Sequence, residues 1–116
     1  MAKTREYSLL AAAARDTSEN GSAVDVSHSR DLNVVLYVTA ITTAPTSLDV
    51  TLQTSYDGTN FVAFGTAINF TQVTTATGLQ TKQITNFGGK WIRAVATIVG
   101  GSGKTYTFSV LAHGKD

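Results

Sequence analysis

The stretch that decides the fold is LDVTLQTSYDGTNFVAF, residues 48–64. In its first half, apolar and polar side chains alternate, which is the pattern of a strand with one buried and one solvated face. Asp57-Gly58 follows, a pair that tolerates positive φ, and an apolar pattern resumes at Phe61. The stretch therefore predicts a β-hairpin, which is a scaffold rather than a site of chemistry.

Segments with strand character recur at even spacing along the rest of the chain. Leu32–Thr42 is rich in β-branched residues and apolar on both faces at its middle, which predicts a central strand. Glu6–Arg15 predicts an edge strand or arm, because residues 17–21 would break a helix and a short isolated helix is marginal in water. Further strands are predicted at residues 23–26, 68–73, 79–85, 90–99 and 105–113.

About eight or nine short strands without a credible helix predict an all-β fold. We expect a single-domain antiparallel β-sandwich, either jelly-roll or immunoglobulin-like, in which residues 1–20 form an N-terminal arm or edge strand and residues 21–116 form the sandwich domain. The predicted core takes one apolar register from each central strand. Its members are Leu36, Val38, Leu52, Trp91, Val95, Phe108 and Val110.

Composition excludes several classes of function. At 116 residues the chain can hold one core. Only 15% of its residues are charged, against a usual share of about 25%, and Thr, Ser, Asn, Gln and Gly replace them, which suits a contact surface. The net charge is +1 without a basic cluster, so we expect no nucleic-acid partner. Cysteine is absent, and no apolar run approaches the ~20 residues that span a membrane.

One glycine-rich segment superficially resembles a phosphate-binding loop. Gly100–Thr105 reads GGSGKT, but the position five residues before Gly103 is Ile98, where the full pattern needs glycine. A phosphate loop also needs a helix after its lysine, and the residues after Lys104 are patterned as a strand. The segment therefore predicts a hairpin loop.

Groups that could bind a metal or catalyse a reaction are sparse. Asp25, His28 and Asp31 are spaced three apart and could gather around a metal with His113 only if a loop folded over. The alternative is that His28 is a solvated loop residue. With two histidines and no motif that marks a nucleophile, we expect no enzyme, no cofactor and no metal.

Five segments together carry a resemblance to a known group of proteins. They are LDVTLQTS with Asp57-Gly58, FTQV at 70–73, GLQT at 78–81, WIRA at 91–94 and YTFSV at 106–110. This succession resembles small structural proteins of tailed bacteriophage virions, encoded among head and tail genes, over residues 21–114. The resemblance implies a non-enzymatic virion component, above all a capsid decoration (cement) protein that binds and stabilises the mature head as a symmetric oligomer.

The resemblance also implies partners and a location. The partners would be the major capsid protein and further copies of this chain, with a trimer as the first expectation, at the capsid surface after assembly in the host cytoplasm. The N-terminal arm differs in composition from the sandwich, so Lys3, Arg5, Tyr7 and Leu9 are the candidate capsid or oligomer contacts.

Two alternatives stay open at this point. A neck or tail component could have the same fold. A glycan-binding module of an adhesion apparatus would place an aromatic side chain against a sugar, with Tyr56, Asp57 and Phe61 as the contact candidates. For Phe61 the competing interpretation is that it returns to the core after the turn.

Overall fold

The computed structural model describes residues 4–27, 29–43, 46–63, 69–84, 90–100 and 103–115. These residues form nine strands and no helix, so the all-β prediction is confirmed. The strands are β1 Thr4–Arg15, β2 Glu19–Asn20, β3 Val24–Asp25, β4 Asp31–Thr42, β5 Ser47–Ser55, β6 Val62–Ala63, β7 Gly78–Ile84, β8 Trp91–Val99 and β9 Thr105–Lys115. In the described part of the chain, no helix could cross a membrane.

The strands form two antiparallel sheets. Sheet A has the order β1-β9-β4-β7, and sheet B has the order β2-β8-β5-β6 with β3 also paired to β8. If β2 and β3 are taken as one interrupted strand, the first strand pairs with the last, the second with the last but one, and so on inward to β5 and β6. This nested hairpin, rolled into two sheets, is the jelly roll. The strand order thus decides between the two sandwich topologies that the sequence left open.

The core lies between the inner faces of the two sheets. Alternate residues of β4 and β9 are almost completely buried, since the central strands of sheet A contribute one side chain in two. Five predicted core residues are confirmed by exposures of 2% or less: Leu36, Val38, Leu52, Phe108 and Val110. The central position predicted for Leu32–Thr42 is also confirmed, because β4 lies between β9 and β7.

The core register predicted for β8 is wrong by one residue. Trp91 and Val95 are only partly buried, and the core face carries Ile92, Ala94, Ala96 and Ile98. Trp91 and Val95 share their face with Arg93, so placing them in the core would bury a charge as well. The penalty for burying this guanidinium outweighs the larger apolar area of Trp91.

The segment 69–77 packs against one side of the sandwich. Phe70 and Val73 are buried, and Val73 and Leu48 exchange backbone hydrogen bonds of 2.8 and 2.9 Å. The strand predicted at 68–73 is not a regular strand in its described part, residues 69–73, which contains only the isolated bridge at Val73. Residue 68 lies outside the described residues. The Tyr106 hydroxyl donates to the Thr74 carbonyl oxygen at 2.8 Å. The pKa of Tyr106 is raised, mainly by burial and to a smaller extent by the nearby Asp49 carboxylate. This hydroxyl ties β9 to the segment.

Candidate interaction surfaces

The outer face of sheet A carries a group of exposed apolar side chains near its centre. Val35 lies directly opposite Leu111, and Tyr37 lies directly opposite Leu79, in the register of neighbouring strands. Tyr37 is 48% exposed and Leu79 is 60% exposed, while Val35 and Leu111 are half-buried. We call the outward-facing surface around these four residues the sheet A face.

The side chains around this apolar group are small and uncharged. Ser8 lies opposite Leu111, Ser109 opposite Tyr37 and Thr81 opposite Val35, so hydroxyl groups surround the apolar centre. Ionisable groups occur at one end only, and they are Glu6, Asp31, His113 and Lys115. Apart from that end, the described outward-facing residues of sheet A bear no charge.

The outer face of sheet B is organised differently, because the chain after β5 folds over it. Gly58 has φ 78° and lies against the indole of Trp91, so closely that a Cβ there would be 3.1 Å from Cε2. Arg93 stacks on the Phe61 ring with its guanidinium carbon 4.1 Å from the centroid, and its Nε donates to Gln53 Oε1 at 2.8 Å. These large outward groups of sheet B therefore have partners within the molecule.

The turn that follows β5 is held by the side chain of Asp57. Its Oδ1 accepts hydrogen bonds of 2.8 Å from the Thr59 and Asn60 amides and from the Ser55 hydroxyl, and its Oδ2 accepts one from Asn60 Nδ2. Hydrogen-bond donors stabilise the ionised carboxylate, so they hold the pKa of Asp57 well below its ordinary value. The backbone amide of Asn60 contributes most to this shift. This hydrogen-bonded turn carries Tyr56, which is 74% exposed.

The three glycan-contact candidates therefore have different surroundings. Tyr56 is open to solvent, the Asp57 carboxylate accepts hydrogen bonds from its own turn, and Phe61 is half-buried beneath Arg93. Phe61 is thus not a core residue, and the prediction that it returns to the core is wrong. Sequence reasoning missed Arg93 as its partner, since residues 32 apart in the chain give no local signal.

Three of the N-terminal contact candidates, Arg5, Tyr7 and Leu9, lie on β1, which pairs with β9. Arg5 is exposed, and Tyr7 is half-buried with its hydroxyl oxygen 2.9 Å from Ser29 Oγ. Leu9 is only 2% exposed and belongs to the core, so its side chain is not available at the surface. Lys3 lies outside the described residues.

Arg15 has a role that the sequence pattern does not indicate. The β1–β9 register shifts twice between Ser8 and Ala13, and in this region the Arg15 guanidinium donates to three backbone carbonyl oxygens. They belong to Ala11 at 2.7 Å, Ala13 at 3.3 Å and Phe108 at 3.1 Å. Glu19 accepts a further bond from Nε at 3.3 Å. Arg15 thus stabilises an irregular stretch of the edge strand.

Among the described residues, the metal-binding candidates form no ligand cluster, although Asp31 and His113 line the same cleft. Asp25 accepts a hydrogen bond from the Ser27 amide, and His113 lies 3.9 Å from Glu6. His28 is outside the described residues, and the residues that are described hold no group of three or more metal-ligating side chains. β9 begins at Thr105, so a strand follows Lys104, as predicted for a hairpin loop.

A cleft of about 400 Å³ lies beside the charged end of sheet A. Its polar lining residues are Asp31, Asn33, Gln83, His113 and Lys115. Asn33 Oδ1 is buried there and has no hydrogen-bond partner among the described residues. The cleft thus contains one unused acceptor, and no nucleophile paired with a base occurs in its lining.

Comparison with known proteins gives fold information alone. No family model and no curated protein match this chain. Among solved structures, the SPBc2 prophage-derived protein YomS aligns with a TM-score of 0.65 at 12% identity over 100% of this chain and 96% of that one. A structure of infectious bursal disease virus, Gx strain, aligns with a TM-score of 0.47 at 12% identity, over 100% of this chain and 32% of that one. A structure of Bacillus endospore appendages, which form disulfide-linked pili, aligns with a TM-score of 0.35 at 17% identity, over 98% of this chain and 86% of that one. The likeness to YomS shows a shared fold.

Proposed function

We propose that this chain is a non-enzymatic structural protein of a bacteriophage virion, and specifically a capsid decoration protein. The observation that carries the proposal is the sheet A face, on which Tyr37 and Leu79 lie side by side in solvent without a charged neighbour in the described residues. Exposed apolar side chains grouped on one face mark an interaction site. The resemblance of the sequence to phage virion proteins and the fold shared with a prophage-derived protein support the same class.

Three charged groups of the described residues also favour a structural role. Asp57 holds a turn, Arg15 holds an irregular strand, and Arg93 holds Phe61. Each of these side chains is engaged in maintaining the fold, which leaves it unsuited to bind and transform a substrate. A protein that acts by assembly requires only a stable scaffold and complementary surfaces.

The proposed mechanism is stabilisation by mass action. A protein that binds the expanded lattice, and binds the unexpanded one less well, shifts the equilibrium toward the expanded state by its binding free energy. Many sites act in parallel on one head, so a modest affinity at each site is sufficient. The partners in this proposal are the major capsid protein and other copies of this chain at the capsid surface.

The test uses DNA-filled expanded heads that lack this protein. Adding the full chain at matched salt is expected to give saturable binding and to raise the temperature at which the heads release DNA. Unexpanded heads are the matched control and should bind less. Equal release temperatures together with no binding to expanded heads would contradict the decoration role. Recovery of only a handful of copies per purified virion would favour a neck or tail component.

One observation favours the glycan-binding alternative. Tyr56 is 74% exposed on a turn that is held by hydrogen bonds, which is how an aromatic side chain is presented to a sugar. Titration with glycans from host cell surfaces, followed by the backbone amide NMR signals of Thr59 and Asn60 in the same turn, tests it. Shifts that saturate and that disappear in Tyr56→Ala would support this alternative over the decoration role.

A further inference from the structure

We propose that the sheet A face is the surface through which two copies of this chain pair about a two-fold axis. The inference deepens the proposed function, on which it rests, because it assigns the exposed face to a particular partner. It follows from the chemistry of the face, from its area and from the contrast with sheet B.

The chemistry of the face makes it complementary to itself. Its centre is formed by Val35, Tyr37, Leu79 and Leu111, and its surroundings carry hydroxyl groups. When such a face meets a copy of itself, apolar groups meet apolar groups, and hydroxyl groups of Tyr, Ser and Thr can both donate and accept hydrogen bonds. Because the described residues outside the charged end are neutral, the contact brings no like charges together there.

The area of the face matches the requirement of a stable pair. Sheet A has four strands, and its two central strands have 12 and 11 residues. At a strand spacing of about 4.8 Å and a rise of about 3.3 Å per residue, the outer side of the whole sheet, its charged end included, measures roughly 19 by 35 Å, or about 700 Å². Two copies that meet over the whole outer side of sheet A would bury about 1,400 Å² in total, within the range of about 1,200–2,000 Å² for specific interfaces.

The contrast with sheet B favours a two-fold pair over other assemblies. A ring or a filament requires that the sheet A face bind a different surface of the next copy. The outer face of sheet B is a poor partner, since Trp91 is covered by Gly58 and Phe61 by Arg93. A face that binds itself closes the assembly at two copies.

The first experiment measures self-association of the full chain by sedimentation equilibrium. Leu79→Lys is the test variant, and Val62→Lys is the matched control, because Val62 lies on an edge strand of sheet B and is 62% exposed against 60% for Leu79. We expect the dimer dissociation constant to rise by about 100-fold for Leu79→Lys and by less than about threefold for Val62→Lys, since only the first buries an unpaired charge in each copy.

A second pair of variants shows whether the effect extends beyond β7, the edge strand of sheet A that carries Leu79. Tyr37→Lys lies in the centre of the face, and Val99→Lys is its control on sheet B, with exposures of 48% and 50%. Far-UV circular dichroism and the unfolding midpoint check that each variant folds. If either test variant is unfolded, Leu79→Ser and Tyr37→Ser replace them, with an expected rise of about tenfold.

The two-fold arrangement has a quantitative signature. Each residue of such an interface occurs twice in the dimer, so a mixed pair of wild-type and Leu79→Lys chains contains only one of the two substitutions. Its dissociation constant should therefore rise by about tenfold, in place of about 100-fold for the pair of two Leu79→Lys chains. An interface between two different surfaces would instead leave one of the two mixed arrangements fully stable. That result, or a trimer mass for the wild-type chain, would overturn the proposal.

The outcomes separate this inference from the proposed function. A wild-type chain that stays monomeric up to millimolar concentration overturns the pairing. If that monomer binds expanded heads and Leu79→Lys does not, the face binds the coat, and the decoration role stands without the pair. If the chain pairs through this face and does not bind heads, the pairing stands and the decoration role fails.

Discussion

The two outer faces of the sandwich share an alternating pattern and differ in what happens to their large side chains. On sheet B, Trp91 and Phe61 are half-buried because Gly58 and Arg93 lie against them. On sheet A, Tyr37 and Leu79 also lie side by side, on neighbouring strands, yet both are exposed to solvent. A large outward side chain on a strand therefore does not by itself mark a binding surface. A binding surface is marked by large outward side chains that no other described part of the molecule packs against.

The largest expected effect tests which side of sheet A is buried. Phe108→Ala should lower the free energy of unfolding by about 3–5 kcal/mol, because it removes a fully buried ring from the core. Leu111→Ala, on the same strand and the opposite face, should cost about 1 kcal/mol or less. Denaturant unfolding at low protein concentration measures both values. Similar losses for the two variants would contradict the assignment of inner and outer faces.

The next effect tests the cover on sheet B. Gly58→Ala combines a strained positive φ with a tight contact, 3.1 Å from the new Cβ to Trp91 Cε2, and it should cost about 2–3 kcal/mol. Gly103→Ala is the matched control, because Gly103 has φ 69° and a Cβ there meets nothing within 4 Å, so its cost should stay near 1 kcal/mol. Thermal unfolding of both variants gives the difference. Equal costs would show that the turn does not press on the indole.

A smaller effect tests the second contact of that cover. Arg93→Ala and Phe61→Leu, alone and together, form a double-mutant cycle in which we expect a coupling free energy of about 0.5–1 kcal/mol. The value is modest because the pair is only partly buried. Additive effects would mean that the stacking holds nothing in place, and the contrast between the faces would then depend on Gly58 alone.

The smallest effect concerns the acid sensitivity of the turn. The folded-state pKa of Asp57 lies below that of the unfolded chain, so its stabilising contribution is complete above about pH 4 and is lost as the pH falls further toward the folded value. The destabilisation caused by Asp57→Asn should accordingly shrink below about pH 4. The NMR titration of the Asp57 carboxyl carbon provides the direct check. A midpoint at the ordinary value would show that the hydrogen bonds do not hold the carboxylate.

Much of the fold could be predicted from local pattern. The hairpin stretch, the central strand β4 and the last strand β9 have clear alternation or β-branched runs, and these properties depend on neighbours in the chain. The register predicted for β8 is wrong because both faces of this strand carry apolar residues, and only the charge of Arg93 marks the outer face. The choice of the jelly roll needed the strand order, which no local pattern contains.

The candidate surfaces were harder to predict than the strands. The sheet A face joins residues from β4, β7 and β9, so its apolar group exists only once these strands are in register. The partners of Phe61 and Arg15 lie far away in the sequence or belong to the backbone, and side-chain type gives no indication of them. A strand pattern shows that a residue faces outward, but what covers it depends on tertiary structure.

The nested pairing of the strands sets an order in time as well as in space. β5 and β6 are joined by a short turn and can meet early, whereas β1 and β9 bring Thr4 opposite Lys115 across nearly the whole chain. The entropy lost on closing a loop grows with its length, and sandwiches dominated by such distant pairs fold in about milliseconds to seconds. We therefore expect sheet A to be completed last, because it contains this outermost pair. We expect each chain to finish folding as a monomer before its sheet A face can engage another molecule, so assembly should follow folding rather than guide it.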